Sequence, residues 1–279
     1  CTRPKTPNIV DQSVCLNSGN ISYQATQNDC PTCLLLWYDA STGGTGTTTT
    51  PTQSTTTTGT YTKYVSQKQI AAPNCESERV PVTITVDAIP VITVSASAAP
   101  CEGGSITFTA TSIPGATYTW TGDASSTTNV ATVNSVTSGT TYSGTVKATV
   151  GGCESADVAY TQTALTTPDV PILTNNEGCD NAITFTITNY DANNTYNCEI
   201  NGQVITGTNS FTFTNPVAGT NYTANITSSK DGCESASGNA SQVYKINPTI
   251  TLASQPTCDL SLTTYYFSIQ VSEGSVIST

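Results

Sequence analysis

Cys30 and Cys33, with two residues between them in CPTC, form the one stretch of this chain whose spacing suits thiol chemistry. A CxxC beside a βαβ pattern would serve thiol–disulfide exchange, and two such pairs would hold zinc. Neither context is present, and the pair is expected to close a small loop as a local disulfide. Three carboxylates, Glu76, Glu154 and Glu234, raise a second chemistry, since paired acids cleave glycosidic bonds. Each follows a cysteine in a recurring motif, NCES at 74–77, GCESA at 152–156 and GCESA at 232–236. A catalytic group is rarely copied into every repeat, so these acids read as charges that guard the start of an edge strand. Histidine is absent from all 279 residues. That removes the usual general base, the commonest metal ligand and every Ser/His or Cys/His dyad. No catalytic, cofactor-binding or metal residue is expected, and the chain reads as non-enzymatic. Calcium at a domain junction, near Asp87 or Asp169, is the one ion chemistry left open, because hard cations choose carboxylate and carbonyl oxygen; no DxDxDG run supports it.

The elements that position these residues repeat along the chain. Cys75, Cys153 and Cys233 follow one another at intervals of about eighty residues, and Cys15, Cys101, Cys179 and Cys258 keep nearly the same beat. Each member of the second series leads into an alternating apolar and polar run, the mark of a half-buried strand. A third marker, Tyr64, Tyr142 and Tyr222, stands 11 residues before each motif cysteine. Three markers in register at one period make a tandem array. Proline-led strands at PNIV, PVITV, PILT and PTITL place the boundaries, with Pro where its missing N–H does least harm. The organisation is therefore 1–6 as the end of a preceding unit or linker, then domains at 7–89, 90–168 and 169–247, then an incomplete fourth unit at 248–279. Linkers of one to three residues predict a semi-rigid rod of domains set end to end.

Within a unit, a cysteine-led second strand is followed by a third with a central aromatic, LLLWYD around Trp37 and TYTWTG around Trp120. The motif cysteine opens the last strand after a GG or DG hairpin turn. This is an all-β sandwich in which a disulfide ties two sheets beside a buried ring. The pairs expected on that reading are Cys15–Cys75, Cys101–Cys153, Cys179–Cys233 and the local Cys30–Cys33. Tyr64, Tyr142 and Tyr222 are expected at the corner that enters the penultimate strand. Cys258 is expected to find its partner past residue 279. Cys198 follows Cys179 by the 19 residues that separate Trp120 from Cys101. It is therefore expected as a free, buried thiol in the place of an indole, packed against the Cys179–Cys233 bridge.

Composition narrows the partners. Eight Lys and Arg against 19 Asp and Glu give a net charge of −11, the wrong sign for phosphate backbones or anionic lipid. No nucleic-acid partner and no membrane insertion are expected. No apolar run is long enough to span a bilayer, and methionine is absent, so the chain reads as processed or as an internal segment. Cys1 reads either as a lipidated N-terminus or as the remainder of a preceding unit, and the broken fourth unit favours the latter. The Thr-rich stretch at 41–60 reads as a flexible loop at the rim of the first unit, or as a glycosylated or ligand-facing patch. Units of roughly 80 residues bury too little apolar surface to be secure, and 11 cysteines meet that need.

LLLWYDASTGGTGTTTTPTQSTTTTGTYTKYVSQ followed by NCESERVPVTITV resembles the bacterial Ig-like repeat of very large Bacteroidetes-type cell-surface proteins, including gliding-motility adhesins. The likeness covers most of 7–89. The second and third units resemble the related PKD-like or Ig-like repeats through GATYTWTG, TYNC and GCESA. The resemblance implies tandem Ig-like domains, export to the cell surface, often by the type IX route, and a stalk or adhesive role without enzymatic activity. Glycans or surfaces, and further repeats of the same chain, would be the partners. The alternative is a spacer array attached to a secreted polysaccharide-degrading enzyme.

Overall fold

A computed structural model of the chain describes residues 2–71, 74–176, 181–245, 249–252, 257–258, 265–266 and 269–272. Every regular element among the described residues is a β-strand. The chain divides into two compact units, one of residues 1–98, 105–134 and 141–162, the other of 99–104, 135–140 and 163–279.

The first unit opens with β1 (Asn8–Val10), β2 (Gln12–Cys15), β3 (Asn20–Ser22), β4 (Gln24–Thr26), β5 (Leu34–Tyr38), β6 (Thr52–Ser54), β7 (Gly59–Lys68) and β8 (Val80–Asp87). Strands β5, β7 and β8 pair antiparallel, and β2 adds in parallel to β8, Cys15 standing opposite Asp87. Strands β1 with β4 and β3 with β6 form two further ribbons. The alternation that shaped these strands fills one core: Val82, Ile84 and Val86 of β8 point in with Trp37, Val65 and Tyr23, and Ile9, Ile21 and Ala25 of the ribbons pack on them. The same unit holds β9 (Val94–Ala96), β10 (Ile106–Ala110), β11 (Thr117–Gly122), β12 (Val130–Val133), β13 (Thr141–Val150), β14 (Cys153–Glu154) and β15 (Val158–Thr163). One sheet runs β12-β10-β9, the other β11-β13 with β14 and β15 both on β13. First, second and fourth strands on one sheet against third, fifth and last on the other is the order of an immunoglobulin-like sandwich without its D strand. Its rings cross the core, Phe108 lying 4.3 Å and Trp120 5.4 Å from Tyr160, centroid to centroid.

The second unit repeats that plan with β16 (Leu173–Asn175), β17 (Ala182–Ile187), β18 (Thr195–Ile200), β19 (Gln203–Ile205), β20 (Ser210–Thr214), β21 (Asn221–Lys230), β22 (Cys233–Glu234) and β23 (Gly238–Val243). The sheet β16-β17-β20 and the sheet β19-β18-β21, with β22 and β23 also on β21, share a core of Ile183, Phe185, Cys198, Ile200, Phe211 and Ile226. Farther on, β24 (Thr249–Leu252) pairs with β27 (Ile269–Ser272), and β25 (Thr257–Cys258) with β26 (Tyr265–Tyr266). The expectation about the partner of Cys258, like those about Cys1 and Cys179, falls outside the described residues.

The abundance of Thr and Ser has a structural use. Outward-facing hydroxyls bond across neighbouring strands, Thr121 to Thr145 at 2.8 Å, Thr184 to Thr212 at 2.9 Å and Thr223 to Ser241 at 2.8 Å. Such pairs contribute roughly 0.2–1 kcal/mol each, so the outer faces are knitted without charge. The stretch 41–60, expected to be a flexible loop, is instead tied down. Thr47 exchanges both backbone hydrogen bonds with Trp37, Thr52–Ser54 forms β6, and Arg79 donates to the carbonyls of Ala40 and Gly43.

One glycine is fixed by close approach. Gly144 of β13 stands opposite Gly122, and a Cβ there would lie 1.9 Å from the Thr121 carbonyl oxygen and 2.4 Å from Tyr160 Oη. That hydroxyl donates to the same carbonyl at 2.8 Å and accepts from Ala124 N at 2.9 Å, so neither neighbour can yield. Gly144→Ala is expected to cost about 3 kcal/mol, in the upper range for overpacking, read as a lower urea midpoint at unchanged m-value.

Candidate functional site

The motif cysteines stand where a tight hairpin delivers them. Strands β13 and β21 end at Gly151-Gly152 and Asp231-Gly232, all four at positive φ between 51° and 85°, the mirror-image turn that GG and DG favour. Cys153 and Cys233 follow at once and are buried. The serine two residues later holds the corner. Ser155 N donates to Ala148 O at 2.8 Å while its hydroxyl accepts from Ala148 N at 3.0 Å and donates to Ala156 O at 2.9 Å. Ser235 makes the same three bonds with Ser228 and Ala236, and Ser77 with Gln67 and Glu78. The side chain thus replaces a rung of the ladder where the strand turns away, and its cost if removed is that of a buried N–H left unpaired. Sequence reading noticed the motif and missed this use of its serine; the recurrence of Ser at the third position was the available signal.

The bridges differ from those expected. Cys15 is bonded to Cys153 and Cys101 to Cys233, each with Cα atoms 5.5 Å apart. The expected pairs Cys15–Cys75, Cys101–Cys153 and Cys179–Cys233 are therefore not formed, although Cys75 is itself disulfide-bonded. Geometry explains the correction. Cys15 pairs with Asp87 at the far end of β8, whereas Cys75 precedes the start of that strand at Val80, about 23 Å away at the rise of an extended chain. Cys15 and the motif cysteine of its own repeat lie at opposite ends, so Cys15 takes the motif cysteine of the repeat that follows. Cys101 shows the same placement: its loop is bonded to Val136 and Leu165, by Gly103 N to Val136 O and Leu165 N to Pro100 O. Cys30 and Cys33 are bonded to each other.

The register also corrects the tyrosine series. Glu154 pairs with Thr149, Glu234 with Ser229 and Glu76 with Lys68. Counting back along β13, β21 and β7 from those partners makes Tyr142, Tyr222 and Tyr61 equivalent, and leaves Tyr64 three residues out of step. The turn before Cys75 is three residues longer than the other two, which a count from the cysteine absorbs silently. Tyr222 Oη accepts from Val217 N at 2.9 Å and Tyr61 Oη donates to Thr57 O at 3.0 Å, each reaching back to the turn that precedes its strand.

By the same ladder Trp37 faces Val65, Trp120 faces Val146 and Cys198 faces Ile226, one position in three copies. Cys198 is free and wholly buried. Its neighbours are aliphatic and aromatic core residues, and the bridge expected beside it does not exist, since Cys233 is held by Cys101. The volume an indole would fill is supplied from the other sheet, where Phe211 stands opposite Phe185 while Ala131 stands opposite the matching Phe108. Burial pushes the thiol pKa up to about 11.

The motif glutamates share a place without sharing partners. Glu154 pairs with Lys147 at 2.7 Å and Glu234 accepts from Thr227 Oγ1 at 2.6 Å. Glu76 accepts from both Tyr38 Oη and Ser66 Oγ at 2.5 Å, and the Arg79 guanidinium lies 3.3 Å from the Tyr38 ring centroid. Burial works to raise the Glu76 pKa, but those hydrogen bonds with nearby Lys68 and Arg79 hold it below the usual glutamate value. Gln67, fully buried, was not singled out in the sequence. Its amide donates to Lys5 O at 2.7 Å and Asn28 O at 2.8 Å and accepts from Asn28 N at 3.0 Å, anchoring the loop that carries Cys30 and Cys33. At Asp87, one of the two aspartates weighed for calcium, the carboxylate accepts from Ser13 Oγ.

No family model matches this chain, and no curated protein matches it. Among solved structures it is similar to domains A168–A170 of titin, at 13% identity and a TM-score of 0.35 over 86% of this chain and 97% of that one. It is also similar to the FN1–FN3 domains of chicken CNTN1, at 11% identity and a TM-score of 0.28 over 87% of this chain and 98% of that one. Fibronectin(III)-like modules of Clostridium thermocellum CbhA match at 16% identity and a TM-score of 0.29 over 56% of this chain and 95% of theirs. The immunoglobulin-like assignment rests on the strand orders given above.

Two measurements check the site. Cys15→Ser is expected to liberate one thiol, at Cys153, to leave Cys75 bonded, and to lower stability by roughly 3–5 kcal/mol on the chain-entropy account of a loop this long. Labelled-peptide mapping and urea unfolding read both; a freed Cys75 would restore the discarded pairing. For Cys198, the folded pKa lies above the unfolded one, so its contribution is complete below pH 9 and is lost as pH rises toward 11. Native protein is expected to resist thiol reagents at pH 8, and the alkaline loss of stability is expected to shrink in Cys198→Val.

Proposed function

We propose that this chain is a length of an extracellular, non-enzymatic stalk or adhesin whose repeats are covalently bridged one to the next. The observation that carries the reading is the pair of bridges from Cys15 to Cys153 and from Cys101 to Cys233, each joining an early cysteine of one repeat to the motif of the following one. Disulfides persist in oxidising surroundings, which supports a location outside the cytosol. A bridge spent between repeats does little for an isolated domain and much for an array that must stay in line. The role follows from that: to hold a binding region away from the cell, or to adhere through the array itself, with attachment or gliding as the process served. The outer faces, rich in Thr and Ser hydroxyls and poor in charge, suit hydrogen bonding to glycans or wetted surfaces.

Antibody fragments raised against residues 1–279 test this reading. They are expected to label intact source cells, to lose that label after external protease treatment, and to reduce attachment or gliding when present in excess. Labelling confined to permeabilised cells would overturn the location. Labelled cells whose attachment and movement are unaffected would overturn the adhesive role.

A further inference from the structure

The bridge within CPTC does nothing to join one repeat to the next. Cys30–Cys33 links residues three apart, whereas Cys15–Cys153 and Cys101–Cys233 span 138 and 132. In the chain-entropy account a crosslink stabilises a fold more the longer the loop it closes, and by reciprocity the fold protects that crosslink by the same factor. Loop length alone then favours the two long bridges over the short one on the order of two-hundredfold. Access does not separate them, since Cys15, Cys30 and Cys101 are all half-buried and each is bonded to a buried partner. The short bridge is the one the fold protects least.

The loop that carries it is anchored without its sulfurs. Gln67, fully buried, donates to Asn28 O at 2.8 Å and accepts from Asn28 N at 3.0 Å, and Asn28 Nδ2 donates to Thr6 O at 3.1 Å. Across the turn, Cys33 N donates to Cys30 O at 3.0 Å and Gln27 Nε2 donates to Cys33 O at 3.3 Å. Strand β5 starts at the next residue, Leu34, in register with Lys68. All of these bonds use backbone and amide groups. The two cysteines are also unequal: Cys33 is 3% exposed and Cys30 half-buried, so a reagent arriving from solvent meets Cys30 first.

We propose that Cys30–Cys33 is a reversible exchange site for low-molecular-weight thiols, separate from the bridges that hold the array. The incoming thiolate attacks Cys30 Sγ, the bond to Cys33 breaks, and Cys33 leaves with the electron pair and takes up the proton that the thiol released. One disulfide and one thiol become another disulfide and another thiol. The products are a mixed disulfide on Cys30 and a free Cys33, both kept in place by the Gln67 anchor and the turn. Attack by Cys33 on Cys30 Sγ then expels the thiol and restores the ring, which makes Cys33 the resolving residue. The site rests on the fold of the first repeat and stands whether or not the chain is an adhesin.

Glutathione added to the whole 279-residue protein is the test, read by peptide mass mapping after acid quench and by circular dichroism. Cys30–Cys33 is expected to open at a glutathione concentration lower by about tenfold or more than either long bridge requires, because two thiols are consumed per bridge opened. The β-sheet signal is expected to persist, and Cys198 to stay unmodified. With glutathione disulfide as the reagent, Cys33→Ser is expected to accumulate an adduct on Cys30, whereas Cys30→Ser is expected to react at Cys33 about tenfold more slowly, as a buried thiol does. A short bridge that stays closed, or that opens no sooner than the long ones, overturns the site. So does loss of the sheet signal when it opens, or equal adduct rates in the two folded variants.

Discussion

The length of one strand governs this chain. A β-strand of eight to ten residues spans 25–30 Å or so, and in the first two repeats such a strand separates the early cysteine, Cys15 or Cys101, from the motif cysteine. The tight turns at Gly151-Gly152 and Asp231-Gly232 fix the motif cysteine at one end, and the serine of the same motif locks the corner there. Held that way, Cys15 and Cys101 stand away from the motif cysteines of their own repeats, and each is bonded to the motif cysteine of the next copy. What would have been a staple inside a small domain becomes a bond along the array. The core of each repeat must then stand on packing, which it does with rings that reach across both sheets.

Much of this was legible in the letters, for identifiable reasons. Alternation of Thr with Val, Ile and Phe in SITFTA, AITFTI and VTITVD determines which side faces the core, and the strands follow it. The equivalence of Trp120 and Cys198 was readable because no insertion falls between the early cysteine and that strand in either repeat. The tyrosines were misread in the first repeat because three extra residues sit between β7 and Cys75, where a count from the cysteine cannot see them. Pairing of the cysteines was not readable at all. Sequence order says that one comes early and one late, but not at which end of a sandwich each emerges.

The cavity lined by residues of 166–171 and 189–196 was half legible. Asp169 stood out as a carboxylate near a boundary, with Thr167 two residues from it, yet Asp191 and Asn194 come from a separate loop that only the fold brings to the same cavity. Nor could the outer faces be anticipated in detail. A composition heavy in Thr and Ser suggested polar strands; the hydroxyl-to-hydroxyl rungs between specific strands depend on register.

The two long bridges also interlock, because Cys101 lies inside the loop closed by Cys15 and Cys153 while Cys153 lies inside the loop closed by Cys101 and Cys233. Consider the chain drawn out by tension between Cys15 and Cys233. Uncrosslinked, the 218 residues between them would reach about 750 Å at the limit of an extended chain. Crosslinked, the shortest covalent route crosses to Cys153, runs backward to Cys101 and crosses again to Cys233, so only 52 residues bear load and the reach stops near roughly 180 Å. The middle stretch carries the pull against its own chain direction while its flanks hang slack. A tether wired in this way would stretch by a limited amount and then stop, even with every sheet undone.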